Sequence, residues 1–450
     1  MTDLEIAARV AADVAEAGGR VYFVGGYVRD GLTGTPCKDI DLEVYGISPE
    51  TLRRILARRG EVLDKGVSFG VLGLRHTSLD VAMPRRERRT GEGHRDFDVS
   101  VNPYLSTREA SMRRDFTINA MMRDVLTGEL IDHWGGEEDL RRRVIRRVNP
   151  DTFREDALRV FRAAQFAARL DGAVDPDTLR LCADMDVTAL SRERVYEETN
   201  KALLKAERPS VYFRLLRDMN HLREFFPELE TTIGVEQNPQ FHPEGDVFEH
   251  TMLVVDAAAG LRGRASDPLS LMYAALLHDL GKVVCTVKDP VTGRISSVGH
   301  EVAGLPLVEA QLRRLTDNAR LIERVLNHTQ LHMRPNMVAA HHSKKKKTRA
   351  MFDLSAVPED LILLSRADCT GKLDKPYDER NEVFLNERLE DYRAVMRLPM
   401  LTGKDLIAAG FEAGPQMGEA LRRARQLHFA GLSPDAALAQ LIAEREYVHK

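Results

Sequence analysis

The spacing of apolar and polar positions divides the chain into two regimes. In residues 4–16 apolar side chains recur every three or four positions, which predicts an amphipathic helix ending at Gly18-Gly19. Short apolar or alternating runs near 21–24, 39–44, 71–74 and 79–81 predict strands. Up to about residue 135 the chain therefore reads as an α/β block with a small sheet. From about 137 onward helical periodicity dominates, with strong helices expected over 155–170 and 192–205. Pro227 and the Pro-, Asn- and Gly-rich stretch 234–245 mark a boundary. A histidine-bearing helical block follows over 246–370. A last helical stretch spans 376–450, broken at Gly403, Gly410, Gly414 and Pro415. The expected fold class is an α/β head, a small mixed sheet with helices, followed by mostly α-helical domains.

The most informative chemistry lies in the first strands. The run Val21-Tyr-Phe-Val breaks at Gly25-Gly26 and is followed by Arg29 and Asp30. The next strand carries Asp39 and Asp41 one residue apart. Alternate residues of a strand share a face, so the two carboxylates converge. Convergent carboxylates are costly unless a cation lies between them. Mg²⁺ suits the pair, since it takes oxygen ligands and completes its shell with substrate phosphates. Gly25 and Gly26 let backbone approach a phosphate and Arg29 adds positive charge, so the stretch reads as a nucleotidyl-transfer site. Asp80, on another predicted strand, is either a third metal candidate or a surface residue of an edge strand.

Two further segments carry candidate groups. Arg113-Arg114-Asp115-Phe-Thr-Ile-Asn119 is expected to open an apolar helix, from which Arg114 and Asp115 could reach phosphates and a ribose hydroxyl. In Phe153-Arg-Glu155-Asp156-Ala-Leu-Arg159-Val-Phe-Arg162, helical spacing would set Asp156, Arg159 and Arg162 on one face. A carboxylate and a guanidinium there could read the edge of a base, or could form an intrahelical ion pair.

Composition changes this picture little. The 450 residues are 43% hydrophobic and 30% charged, with a net charge of −4, ordinary for a multidomain globular protein. Nucleic-acid binding must then come from local basic runs: Arg85 to Arg89, the five arginines between 141 and 147, and the lysines 344–347. Cys37, Cys182, Cys285 and Cys369 form no CxxC, which argues for a reducing compartment. No signal peptide or apolar span is apparent, so a cytoplasmic location without membrane association is expected.

The order Gly-Gly-x-Val-Arg-Asp, Asp-x-Asp, Arg-Arg-Asp-Phe-Thr-Ile-Asn-Ala, Glu-Asp-x-x-Arg and Glu193-Arg194-Val195-Tyr-Glu197-Glu198 resembles the class II tRNA nucleotidyltransferase and bacterial poly(A) polymerase family. The resemblance extends over the whole chain and implies a catalytic head (1–136), a helical neck (137–232), an HD domain (233–375) and a tRNA-binding tail (376–450) with Leu401-Thr-Gly-Lys-Asp-Leu-Ile. It implies catalytic Mg²⁺ on Asp39 and Asp41 and triphosphate contacts from Gly26 and Arg29. Ribose would be selected by Arg114 and Asp115. Asp156 and Arg159 would act as a protein template for ATP or CTP, with Arg162 near phosphate. Gln165 and Ala157 depart from the family's usual Arg and Pro. The stretch Gly66-Val-Ser-Phe69-Gly70 lacks the polymerase signature, and 85–97 resembles the flexible loop of complete CCA-adding enzymes. The expected activity is addition or repair of the tRNA 3′ CCA end, by a monomer or homodimer. An A-adding enzyme or poly(A) polymerase remains open, as does an HD phosphohydrolase whose head only binds nucleotide.

The histidine block supports that last alternative. His250, the pair His278-Asp279, and Asp368 form the ligand pattern of an HD phosphohydrolase. Imidazole with carboxylate suits Ni²⁺, Mn²⁺ or Co²⁺. His300 and His328 are candidates for a second metal position, and His332, His341 and His342 receive none. The block could equally be a scaffold without chemistry.

Overall fold

The computed structural model describes residues 1–36, 39–66, 71–89, 97–373 and 377–448, with side chains left aside at 66, 86–89, 97–99 and 446–448. Cys37, Lys38 and most of the stretches 66–70 and 85–97 singled out in the sequence thus lie outside the described residues. The chain forms two compact units, 1–206 with 211–224, and 207–210 with 225–450.

The first unit is built on a mixed sheet. Its strands are β1 (Arg20–Val24), β2 (Ile40–Tyr45), β3 (Val62–Gly66), β4 (Val71–Leu74) and β5 (Leu79–Ala82). A separate hairpin, β6 (Arg85–Arg89) with β7 (Phe97–Val101), precedes β8 (Met122–Asp124) and β9 (Leu130–Ile131). The sheet order is β3-β4-β5-β2-β1-β8-β9. Within it only β2 and β5 run parallel, and their register pairs Asp41 with Asp80. Strand β5 lies inside the sheet, so Asp80 does not sit on an edge strand.

The helix Asp3–Glu16 forms as its spacing predicts. Thr2 and Glu5 close a capping box, and Ile6, Ala7, Val10, Ala11 and Val14 pack against the sheet. The helix Pro49–Ala57 adds Leu52, Ile55 and Leu56 to the same core. Two expectations fail locally. After Arg113–Asp115 there is no apolar helix, only the single turn Thr117–Asn119 leading into β8. The helix expected over 155–170 begins at Leu158, because the shorter helix Pro150–Phe153 ends first and the chain turns through 154–157. The helices Leu158–Leu170 and Arg192–Lys205 then pack on each other.

The second unit is helical. Val247–Leu261, Pro268–Leu277, Ala319–Leu331 and Pro358–Thr370 pack together around Phe248, Leu271, Tyr273 and Val325. Two smaller cores follow, one on Phe352, Ile362 and Leu385, the other on Leu401, Leu406, Leu427 and Leu441. Among the described residues no helix is long and apolar enough to cross a membrane.

Leu56 is fully enclosed in the head core. Leu56→Ala should cost about 2–5 kcal/mol through lost transfer energy and a cavity. A lower denaturant midpoint with unchanged m-value would record it.

Candidate functional site

Two constellations emerge, one in each unit. In the first, Gly25 takes a left-handed conformation at φ +62° and turns β1 into the helix Gly26–Leu32. The left-handed φ is what favours glycine here; a Cβ on it would only touch Asp41 Oδ2 at 3.7 Å and Arg114 Nη1 at 3.6 Å, which places both groups at the rim of a notch. Asp41 keeps exposed surface, yet partial loss of hydration raises its pKa, reinforced by Asp80 and Asp39 and opposed by Arg114 and Lys65. Three carboxylates that disfavour one another's charge provide what a divalent cation requires. Lys65 meets Asp80.

Glu43 was missed in the sequence, although Asp39-x-Asp41-x-Glu43 continues the same alternation. Its side chain is 2% exposed. It accepts from Tyr45 Oη at 2.8 Å and lies 3.4 Å from Arg114 and 3.6 Å from Arg113, so it anchors both guanidiniums beneath the notch. Burial and Glu43 together push the Tyr45 pKa up, keeping it a donor.

Arg29 sits beneath this surface. It is 4% exposed, donates to Asp30 at 2.8 Å and to Asn119 Oδ1 at 2.5 Å, and lies 5.0 Å over the Phe166 ring. Burial lowers its pKa against the pull of Asp30. Asn119 donates from its other end to Asp115 at 3.0 Å. Asp115 in turn pairs with Arg162 at 2.5 Å. Burial alone would raise the Asp115 pKa, but Arg162, Asn119 and Arg159 outweigh it and hold the carboxyl below its ordinary range.

Asp156, Arg159 and Arg162 do not share one helical face as expected, since Asp156 precedes the helix. Its carboxylate accepts from the Leu158 amide at 3.1 Å and from Arg194 at 2.9 Å. Arg159 donates to the carbonyls of Thr152 (2.6 Å) and Arg113 (2.7 Å). Arg162 also approaches Glu198 at 3.6 Å. The Glu-Arg-Val-x-Glu-Glu motif therefore acts from the neighbouring helix, Arg194 on Asp156 and Glu198 on Arg162. Gln165 is 1% exposed, inside the core.

In the second unit four imidazoles converge. The Nδ1 atoms of His278, His300 and His332 face the carbonyls of Ala275 (3.0 Å), Ser297 (2.7 Å) and Thr329 (2.7 Å). A carbonyl only accepts, so each Nδ1 carries a proton, and each Nε2 would be the atom to offer a lone pair to a bound metal. Those Nε2 atoms face Asp279: His278 at 3.2 Å from Oδ2, His300 at 3.1 Å and His332 at 3.8 Å from Oδ1. His250 Nε2 lies 3.2 Å from Asp368 and 3.5 Å from Asp279. Lone pairs facing carboxylates need cations between them, so this donor set fits divalent metal. Three groups among the described residues could hold an ion: His250-His278-Asp279 and Asp279-His300-His332, which share Asp279, and His242-Glu244-His250, which adjoins the first through His250.

Gly281 makes this packing possible, because a Cβ there would strike the His300 carbonyl. His328 does not join the cluster. It is fully buried, with Asp360 and Asp267 as its charged neighbours, and burial lowers its pKa. The second position belongs to His332, one turn later, to which the sequence pattern assigns no role. A cavity of about 480 Å³ opens onto the cluster, lined also by Lys282 and Lys372.

Comparison with known proteins agrees with this architecture. Residues 21–146 match the poly A polymerase head domain, 173–233 a probable RNA and SrmB-binding site of polymerase A, and 247–371 the HD domain. Fold and site thus define a nucleotidyltransferase head joined to an HD-type helical domain, a combination that depends on divalent metal. The multifunctional CCA protein of Alkalilimnicola ehrlichii is 38% identical over 92% of this chain and 98% of its own length. That of Hahella chejuensis is 34% identical over 90% and 93%. The chain belongs to the family of multifunctional CCA proteins. Among solved structures, the Bacillus stearothermophilus CCA-adding enzyme in complex with CTP shares the fold, with a TM-score of 0.70, 22% identity, and coverage of 100% and 99%. The Thermotoga maritima CCA-adding enzyme complexed with tRNA gives 0.61, 21%, 98% and 95%.

The Asp115–Arg162 pair sets a pH dependence. The folded-state pKa of Asp115 is depressed, so its stabilisation is complete above the unfolded value near 3.9 and is lost as pH falls through the folded value. Asp115→Asn should cost about 1–3 kcal/mol at neutral pH, since Arg162 loses its nearest carboxylate and keeps only Glu198 at 3.6 Å. Urea titrations of both proteins should show that gap narrowing below about pH 4.

Proposed function

We propose that this protein is a tRNA nucleotidyltransferase, which adds or repairs the 3′-terminal CCA of tRNA from CTP and ATP without a nucleic-acid template. The observation that carries the reading is the notch at Gly25. There the Asp39-Asp41 strand, Asp80 in register and Arg114 converge, while Asp156 and Arg159 are held at the helix start beyond Arg113. The terminal 3′ oxygen attacks the α-phosphorus in line. A new P–O bond forms, the bond to the β-phosphate bridge breaks, pyrophosphate leaves, and the hydroxyl proton passes to solvent. Mg²⁺, held by Asp39 and Asp41 with Asp80 beside them, would acidify the attacking hydroxyl and offset charge on the leaving group.

This chain's own residues bind and orient. Arg114, steadied by Glu43, meets the nucleotide at the mouth of the notch. Gly26 and Arg29 form the floor beneath the triphosphate, with Asp115 and Arg162 fixing the ribose side. Asp156 accepts from a base edge and Arg159 donates to it. Arg194 and the two carbonyl contacts hold these groups in one arrangement, so they read a base without a template strand. The protein acts in the cytoplasm, on tRNA.

The converged imidazoles favour a second activity. The HD-type centre would hydrolyse phosphate monoesters or cyclic phosphates on RNA ends, with Ni²⁺, Mn²⁺ or Co²⁺ on His250, His278, Asp279 and Asp368 and a second ion served by His300 and His332. Asp41→Ala should abolish nucleotide addition and spare this hydrolysis, while Asp279→Ala should do the reverse. The assay is tRNA lacking its end, offered labelled CTP and ATP singly and together, beside a 2′,3′-cyclic phosphate with Ni²⁺. Addition of A alone, or long A tails, would replace the CCA reading by an A-adding or poly(A) enzyme. Unaltered addition by Asp41→Ala would end the metal assignment.

The tRNA backbone should be gripped by the tail-side lysines. The arginine run is engaged mostly in surface ion pairs: Arg141 and Arg142 with Glu138, Arg143 with Asp171, and Arg146 and Arg147 with Asp175. Lys345 pairs with Asp391, but Lys344, Lys346 and Lys347 stay exposed without an acidic partner among the described residues. Replacing those three by Gln should lower the log–log salt slope of tRNA affinity by about one unit for each phosphate no longer neutralised. An unchanged slope would mean that other residues grip the backbone.

A further inference from the structure

Three of the four converging histidines take their Nδ1 acceptor from backbone, and the fourth does not. His250 Nδ1 lies 2.8 Å from Oε1 of Glu244, and His242 Nδ1 lies 2.9 Å from the same oxygen. The Glu244 side chain is 1% exposed, and its other oxygen is buried without a partner. A buried carboxylate with one oxygen unused is costly to keep for packing alone. Glu244 precedes the matched HD domain, which begins at 247, and sits in the Pro- and Gly-containing stretch leading into the Val247–Leu261 helix. His242 stands against His250 with ring centroids 4.6 Å apart and lines the cavity above the cluster.

We propose that Glu244 is the positioning residue of the HD-type centre, a carboxylate that fixes His250 with its Nε2 turned to the metal and holds His242 at the cavity wall. The inference rests on the reading of this cluster as a metal centre. An ionised carboxylate accepts only, so both rings must carry the proton on Nδ1. Both Nε2 atoms are then free, that of His250 to bind a cation beside Asp279 and Asp368. A carbonyl would fix the same tautomer. A carboxylate also makes the imidazole more electron-rich, and therefore a stronger ligand than its three neighbours. His250 is the ligand that needs this most. It faces carboxylate oxygens from two separate elements, Asp279 and Asp368, and its ring takes its direction from Glu244 rather than from a carbonyl of its own helix.

Co²⁺ titration of the full-length protein, followed by calorimetry and by visible absorption, tests the proposal. Glu244→Ala should weaken binding about 10–100-fold, the usual effect of removing such a partner. Glu244→Asp should recover part of the loss. His242→Ala leaves the Glu244–His250 bond in place and should bind like wild type. Histidine ¹⁵N spectra should show His250 as the Nδ1–H tautomer in wild type and as a mixture in Glu244→Ala. CCA addition, which belongs to the first unit, serves as the folding control. Wild type that fails to bind Co²⁺ overturns the metal reading itself. Wild type that binds, with Glu244→Ala binding equally well, overturns the role given to Glu244. An equal loss in His242→Ala does so too, since the loop rather than the carboxylate would then hold the centre.

Discussion

A chain of alternating charge runs under the proposed nucleotide site, and the geometry above depends on it. Arg169 meets Asp30, Asp30 meets Arg29, Arg29 meets Asn119, Asn119 meets Asp115, Asp115 meets Arg162, and Arg162 approaches Glu198, which also holds Lys201. Most of these groups are buried, where an unpaired charge would be expelled or neutralised. Asn119 occupies the one link where neither charge would serve. Its carbonyl takes the Arg29 proton while its amide reaches the Asp115 carboxylate, so an acid or a base in its place would face a like charge on one side. The chain ties the helix after Gly25, the Thr117–Asn119 turn and the helices Leu158–Leu170 and Arg192–Lys205 into one electrostatic body. Asp156 and Arg159 stand outside this chain, held instead by Arg194, the Leu158 amide and the carbonyls of Thr152 and Arg113.

The second unit handles buried polarity in the opposite manner. Its cluster leaves imidazole lone pairs and carboxylates facing each other, with Lys282 at 2.7 Å from Asp279 and Lys372 at 3.5 Å from Asp368 as the nearby ammoniums. Asp279 and Asp368 are held far below the ordinary carboxylate range despite burial, and His332 is driven down to about 3. The same carboxylates pull the pKa of His250 and His300 up, so the cluster draws positive charge, from its own histidines and lysines or from a bound cation. The head instead balances its buried charges internally, while the carboxyl of Asp41 stays exposed at the notch.

Much of this was legible in the sequence, and the failures have physical causes. The alternation that placed Asp39 and Asp41 on one face rests on a two-residue period that β2 obeys. The same rule would have found Glu43 had it been followed one step further. Helical spacing misplaced Asp156, because periodicity does not register where one short helix ends and the next begins. Its cap on Leu158 is a local hydrogen bond that the apolar pattern cannot carry. His328 and His332 are a single turn apart, so periodicity gives them nearly the same face. Only the packing of the Ala319–Leu331 helix decides that His328 faces the core and His332 the cavity. The arginines between 141 and 147 read as an unengaged basic run because three of them, Arg143, Arg146 and Arg147, find carboxylates, Asp171 and Asp175, some thirty residues away in sequence.

The two sites also differ in how they can fail. In the head Asp30, Arg29 and Arg162 each have two printed partners, so removing one link weakens a network whose other members still hold the backbone. In the HD-type cluster Asp279 bears on both candidate ion positions, with one oxygen toward His250 and His278 and the other toward His300 and His332. Two ions placed there would share that carboxylate, and binding the first would orient it for the second. The same side chain, 3% exposed and ringed by four imidazoles, has no way to turn aside when an ion is missing. The close approach of His300 to Gly281 brings its imidazole within 3.1 Å of Asp279. This explains why a glycine without room for a Cβ follows two residues after the acid.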